Sequence, residues 1–305
     1  MKVPVLFLVY NRPDLTKKVL EKIATYRPER LYIAADGPKD KAGEHLIDAT
    51  REAATNVSWS CKVKTLLRDK NLGCRKAVSD GVDWFFDQEE MGIILEDDCL
   101  PDTTFFTFCE ELLFRYRDNR TIGMIAGTNQ FEHLFKSMKQ SYLFASNASI
   151  WGWASWRRAW KFYDVKMSDW PEYRNKSFLR KYTYSFLERW RRRTVYDDVY
   201  HRRINTWDYQ WTFTRQKIGL LSVVPKQNLV LNIGLEEGGT HHANKSFIGM
   251  SLRSMDTPII HPKNILANTK FDKSLSNQII SEGIIRNILY LGLKRPLLNL
   301  FKNWF

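Results

Sequence analysis

Three consecutive acids, Glu96-Asp97-Asp98, end a short apolar run, Ile93-Ile94-Leu95. Adjacent carboxylates repel one another and cost free energy unless positive charge sits among them. Acids at the end of a buried strand, with basic neighbours, suit a hard divalent cation that takes carboxylate oxygens. Mg2+ and Mn2+ keep open positions for water and phosphate oxygens, so one or two protein carboxylates suffice where a diphosphate supplies the rest. The chemistry on offer is leaving-group stabilisation, in which the cation neutralises the charge growing on a departing phosphate.

The elements that must position these acids are legible upstream. "VPVLFLVY" (3–10), "RLYIAA" (30–35), "KVKTLL" (62–67), "GIIL" (92–95) and "IGMIA" (122–126) read as strands. Helical patterns fall between them: Leu15, Val19, Leu20 and Ile23 after Pro13-Asp14, a stretch around 44–55, Ala77 to Phe86 within 74–88, and 104–117. Alternating strands and helices, with strands that are unbroken apolar runs, predict an α/β fold whose parallel sheet is covered on both faces. Ligands bind such sheets beyond the carboxyl ends of the strands. Those ends are Asn11-Arg12, Asp36-Gly37, Arg68-Asp69 with Asn71 and Gly73 behind, and Glu96-Asp97-Asp98. Four polar ends of both charge signs at one edge mark a site.

After residue 127 the rhythm changes. "SIWGWASWRRAW" (149–160), "TWDYQWTFTRQKIG" (206–219) and "LLSVVP" (220–225) read as short, Trp-rich strands around a basic helical stretch. No linker separates the halves. The expected organisation is a nucleotide-sugar-binding half over 1–126, an acceptor half of the same domain over 127–245, and a C-terminal extension over 246–305.

The 305 residues are 44% apolar and 27% charged, enough to bury a core. A net charge of +13 suits a polyanionic partner: nucleic acid, an anionic membrane face or a phosphorylated substrate. Eleven tryptophans suit sugar-stacking or membrane-interface surfaces as well as ordinary core. Cys61, Cys74, Cys99 and Cys109 form no CxxC pair and read as cytosolic thiols. With no signal-peptide pattern and no apolar run longer than Val5 to Tyr10, the expectation is a cytoplasmic protein, soluble or peripheral on a membrane. Neither a GxxxxGK[ST] P-loop nor a strand-linked GxGxxG is present, so a P-loop NTPase and a Rossmann dehydrogenase are not supported.

"VPVLFLVYNRP", an Asp-Gly after the second strand, "NLG" before the third helix and "LEDDCLPD" together resemble the GT-A glycosyltransferases. The likeness, over roughly residues 1–245, is to bacterial family 2-like sugar transferases and to N-acetylglucosaminyltransferase I, whose metal motif is also Glu-Asp-Asp. It implies an inverting transferase using Mn2+ or Mg2+ and a nucleotide-diphosphate donor, with UDP favoured, acting on a saccharide acceptor. Bacterial surface polysaccharide or lipid-linked oligosaccharide synthesis at the inner membrane face is the implied setting. Asp98 would ligate the metal, with Glu96 and Asp97 against the ribose and behind the metal. Asp36 would read the base, Asn11 and Arg12 would line the nucleotide pocket, and Arg68 or Arg75 would meet ribose or diphosphate. For the two arginines a solvated salt bridge is the plain alternative.

Inverting transfer also needs a carboxylate that takes the acceptor hydroxyl's proton. Asp208 in "WDYQW" sits where inverting relatives carry that base, at the start of a late helix; a helix N-cap is its structural alternative. Asp197 and Asp198 are rivals. "IWGWASW" resembles the stretch shaping the sugar and acceptor pocket, with Gly152 allowing close approach and Trp151 or Trp153 stacking on a sugar, unless these rings are core. In "GGTHH", His241 or His242 would complete the metal shell or contact diphosphate. The tail over 283–305 has apolar residues at helical spacing interleaved with Arg286, Lys294, Arg295 and Lys302, a composition suited to an anionic membrane interface and equally to a helix packed on the sheet. Two other classes compete. A nucleic-acid-binding protein would use 189–203, but no such module is recognisable. A sugar-nucleotide nucleotidyltransferase would need a Gly-rich basic loop where "YNRPDL" stands.

Overall fold

The structure, a computed structural model, describes residues 2–235 and 250–290. Strands β1 (Val5–Val9), β2 (Arg30–Ala35), β3 (Lys62–Leu67) and β4 (Met91–Glu96) alternate with helices α1 (Pro13–Tyr26), α2 (Glu44–Thr55) and α3 (Gly73–Gln88). There follow β5 (Cys99–Pro101), α4 (Thr103–Arg115), β6 (Ile122–Ala126), β7 (Tyr142–Ala145) and β8 (Trp153–Trp156). The chain continues through α5 (Arg157–Trp160), α6 (Trp170–Arg174), α7 (Phe186–Tyr200) and α8 (Asp208–Lys217) to β9 (Leu221–Pro225), β10 (Val230–Asn232) and α9 (Thr269–Tyr290).

One eight-stranded sheet runs in the order β3-β2-β1-β4-β8-β6-β9-β7. Within it β7 and β8 run against their neighbours, and every other pairing is parallel. The mostly parallel, helix-flanked sheet expected for a GT-A-type chain is therefore present, and it continues across the expected 126/127 boundary. β1 is buried throughout, as a central strand covered on both faces must be. Its neighbours on one face include Val19, Ile23, Phe105 and Leu112, and on the other Val82, Phe85, Trp153 and Trp211.

Two expectations are corrected. β3 is an edge strand with almost every side chain exposed, so the sheet is not covered over its whole width; the lysines of "KVKTLL" keep that edge in water. Residues 206–219 are not the strand that their alternation suggests but carry α8, which begins at Asp208, where the family resemblance put the start of a late helix. Tyr209 to Thr214 alternates apolar with polar residues and so imitates a strand, although the helix buries Gln210, Thr214, Arg215 and Gln216 along with Trp211 and Phe213.

The C-terminal extension begins as part of the core. Ser141 and Ile260 exchange backbone and side-chain hydrogen bonds, and Asn268 N donates to Phe144 O. α9 then packs along α7 and β7. Asp272, 2% exposed, accepts from the backbone N–H groups of Ser146 (3.1 Å) and Asn147 (3.4 Å). Ser276 donates to Glu188 at 2.6 Å, and Glu188 is paired with buried Arg192 at 2.8 Å. Residues 291–305, the larger part of the basic tail, lie outside the described residues. Among the described residues no helix is long and apolar enough to cross a membrane.

Replacing Asp272 by alanine leaves two buried N–H groups without an acceptor. It should cost about 2 kcal/mol and lower the urea midpoint, while Asp272→Asn, which keeps an acceptor, should cost less. Equal midpoints for wild type and Asp272→Ala would show that α9 is not anchored here.

Candidate functional site

The acid run lies where the parallel strands end. β4 delivers Glu96, and the turn into β5 carries Asp97 and Asp98. Next to it, the end of β1 supplies two positive partners: Tyr10 N donates to Asp97 Oδ2 at 2.9 Å, and Arg12 Nη1 donates to Asp98 Oδ2 at 2.6 Å. β10 pairs antiparallel with β5, so Ile233 N donates to Asp98 O at 2.8 Å and Gly234 crosses over the Arg12–Asp98 pair. A Cβ on Gly234 would lie 2.5 Å from Asp98 Oδ2 and 2.6 Å from Arg12 Nη1, so a side chain there would displace the pair.

Partial compensation leaves its mark on the protonation of the run. Burial, then the Asp98 charge, push the Asp97 carboxyl up to about 7 against the pull of the Tyr10 N–H and Arg12. Burial and the charges of Asp98, Asp97 and Asp208 hold Glu96 well above the ordinary carboxylate range.

Asp208 joins this cluster from the second half of the chain. It is the first helical residue of α8; the N-cap is Trp207, so Asp208 is not the cap that its type allowed. Thr206 Oγ1 donates to its carboxylate. α8 is held by aromatic packing: Trp207 stacks on Trp153 at 5.6 Å between centroids, Trp211 packs against Trp160 at 5.0 Å, and Tyr163 Oη donates to Trp207 O at 3.1 Å. Cys74, at the start of α3, is exposed as a residue but lies near the same acids. Its thiol is pushed up to about 12 by the protein crowded around it and by the charges of Glu96, Asp208, Asp36 and Asp98. Glu96, Asp98 and Asp208 therefore lie within electrostatic reach of one another, while Asp36 turns its carboxylate onto the backbone at the start of α3. The rival acids pair elsewhere: Asp197 is held by Arg174 (2.7 Å) and Trp170 (2.9 Å), and Asp198 by Arg203 (2.9 Å).

The remaining candidates separate into groups. Asn11 is half-buried just beyond the end of β1. Asp36 is 7% exposed and accepts from the N–H groups of Gly37 (2.9 Å), Leu72 (2.9 Å) and Gly73 (3.0 Å), so it closes the N-terminus of α3 over β2. Arg68 lies 3.8 Å from Asp80 on α3. Arg75 points to the other half, donating to the carbonyls of Val199 (3.2 Å) and Ile204.

Trp151 is half-buried against the sheet, and its carbonyl accepts from Thr128 Oγ1 at 3.0 Å. Gly152 has φ +59°, and Val230 Cγ2 would lie 2.7 Å from a Cβ there, so its close approach is to the protein's own core. Trp153 is corrected: at 1% exposed, among Trp160, Trp207 and Trp211, its ring is core and not a sugar platform. His241 and His242 lie outside the described residues. Cys74 reads in the sequence only as an ordinary thiol, and Tyr163 and Gly234 carry no signal there, because a lone thiol, a lone tyrosine or a glycine outside any motif does not announce its neighbours.

Among the described residues no three His, Cys, Asp or Glu side chains group closely enough to hold a metal ion by themselves. The donor set is hard oxygen, with Asp98 paired to Arg12. Such a set fits Mg2+ or Mn2+ held by one or two carboxylates and completed by a ligand's oxygens.

No family model matches the chain, and no curated protein matches it in sequence. Several solved structures overlap it in part. HddC from Yersinia pseudotuberculosis is 9% identical over 51% of this chain and 77% of that one, with a TM-score of 0.30. Mouse xyloside xylosyltransferase 1 is 11% identical over 72% and 84%, with a TM-score of 0.34. The 4-diphosphocytidyl-2C-methyl-D-erythritolsynthase of Anaerococcus prevotii DSM 20548 is 8% identical over 55% and 75%, at 0.26. With likenesses this slight, the fold assignment stands on the strand order and pairings themselves.

Asp36→Ala should orphan three N–H groups at the entrance to α3 and cost about 2 kcal/mol, read as a lower urea midpoint. An unchanged midpoint would show that the carboxylate is not what closes this corner.

Proposed function

We propose that the protein is an inverting, divalent-cation-dependent glycosyltransferase. It moves a sugar from a nucleotide-diphosphate donor, UDP-linked by preference, to a saccharide acceptor. The observation that carries this reading is the convergence of Asp208, at the start of α8, with Glu96, Asp97 and Asp98 at the end of β4. One set of acids suits a cation and a diphosphate; the acid facing it suits proton removal.

Asp98 and its neighbours would hold Mn2+ or Mg2+, which supplies neutralisation of the departing diphosphate's charge. Arg12, already on Asp98, adds a second positive charge beside that leaving group. Asp208 takes the proton of the acceptor hydroxyl as its oxygen bonds to the anomeric carbon. The bond from that carbon to the phosphate oxygen breaks on the opposite side, and the nucleoside diphosphate leaves with the electron pair. Asn11, Arg12 and Arg68 lie on the nucleotide side in this reading, with Asp36 and Arg75 shaping it through their backbone partners, Trp151 on the acceptor side with Gly152 turning the chain behind it, and His241 or His242 at the diphosphate. A lipid-diphosphate-linked acceptor at the cytoplasmic face of a membrane accords with the net charge of +13.

Asp208→Asn should lower kcat by roughly 10² or more, the scale of a lost general base, with donor binding near normal. Asp98→Asn should abolish nearly all transfer and weaken Mn2+-dependent UDP binding, and Asp97→Asn should do less. NMR of the product should show the anomeric configuration opposite to the donor's. Retention, or near-normal turnover in Asp208→Asn, would remove Asp208 from this role.

A further inference from the structure

The N-terminal end of α7 presents an apolar surface that nothing among the described residues covers. Phe186 is 74% exposed, Leu187 53%, Trp190 54% and, just before the helix, Tyr184 41%. Phe186 and Trp190 are four residues apart and so share one face of the helix, with Leu187 beside them. The placement is built: Ser185 caps the helix by accepting from Glu188 N at 3.1 Å, and the opposite face is pinned by the buried Glu188–Arg192 pair and by Ser276 of α9. In a chain that buries Trp153, Trp156, Trp160, Trp170, Trp207 and Trp211, the exposure of Trp190 stands apart.

The sequence around this surface has one sign. Between residues 180 and 193 the single acid is Glu188, buried against Arg192, whereas Arg180, Lys181, Arg189, Arg191 and Arg193 are basic. α9 adds Lys273, whose ammonium lies 5.9 Å from the Tyr184 ring centroid. We propose that this end of α7, with Tyr184, Phe186, Leu187 and Trp190 inside a ring of arginine and lysine, docks on the surface of an anionic lipid bilayer. Aromatic and aliphatic tips enter the headgroup boundary while the basic ring meets anionic headgroups.

The charge argues against other occupants. A second copy would bring an identical positive ring against this one. Nucleic acid would use ring faces for stacking, and the paired aliphatic and aromatic tips Leu187 and Phe186 do not form such a platform. The surface needs neither the transferase reading nor any residue beyond 290. It also has a fixed relation to the acid cluster. The 15 residues of α7 span about 22 Å, and its far end is tied through Arg75 to α3, beside Cys74.

The test is co-sedimentation of the full chain with phosphatidylcholine vesicles, with and without phosphatidylserine. Wild type should bind the anionic vesicles and not the neutral ones. Phe186→Ser/Leu187→Ser/Trp190→Ser should weaken that binding at least about tenfold with an unchanged melting temperature, and Arg180→Gln/Lys181→Gln should also weaken it about tenfold. The charge pair carries the test if the serine variant folds poorly. Vesicle binding at wild-type strength in both variants places the bilayer contact elsewhere and overturns the proposal. So does a wild type that ignores anionic vesicles but binds a single-stranded oligonucleotide through these residues.

Discussion

Crowded negative charge is the constraint around which this molecule is arranged. Glu96, Asp97, Asp98 and Asp208 press on one another at the edge of the sheet, and burial makes their mutual repulsion more costly. The fold answers with what lies nearest: the N–H of Tyr10, the guanidinium of Arg12, and a glycine at position 234 that leaves room for the ion pair. Burial first, and the neighbouring acids second, still hold the Asp97 and Glu96 carboxyls above the ordinary range. The parallel β1–β4 pairing brings Tyr10 and Arg12 beside the acid run, since adjacent strands pointing the same way end at the same edge. Raised carboxyls hold protons near neutral pH that a bound cation would displace, so cation binding at this edge would release protons.

The tryptophans serve the same end from the other side. Trp153 lies on β8, a strand hydrogen-bonded to β4, and carries Trp207 stacked on its face. Trp211 and Trp160 extend the layer, and Tyr163 fastens the Trp207 carbonyl. The start of α8, and with it Asp208, is thus referred through a rigid aromatic layer to the strand that carries Glu96. Large rings with few rotatable bonds suit this, because they bury much area at low entropic cost.

The first half of the chain was legible because its signals are local. Apolar runs gave β1, β2, β4 and β6, amphipathic spacing gave α1 to α4, and the polar strand ends located the acid cluster. The second half resisted for physical reasons. Residues 209–214 alternate like a strand while buried nearly all round as a helix, so periodicity pointed the wrong way. Trp153 has a composition equally suited to pocket and core, and only its neighbours decide. β5 and β10 are three residues each and exist because they pair with one another, Val230 with Pro101 and Asn232 with Cys99, far apart in the sequence, which no local pattern records. Asp36 and Arg75 were noticed for their charge, yet their partners are backbone groups, and backbone leaves no trace in residue types.

The central claim is that the acid cluster and a nucleoside diphosphate meet through a divalent cation. Isothermal titration of the wild-type chain with UDP, in the presence of Mn2+ and again in EDTA, tests it most directly. The account predicts saturable binding with Mn2+ and a large loss of affinity in EDTA, because the diphosphate would then face uncompensated carboxylates. Equal affinity in both buffers, or no binding in either, would contradict it.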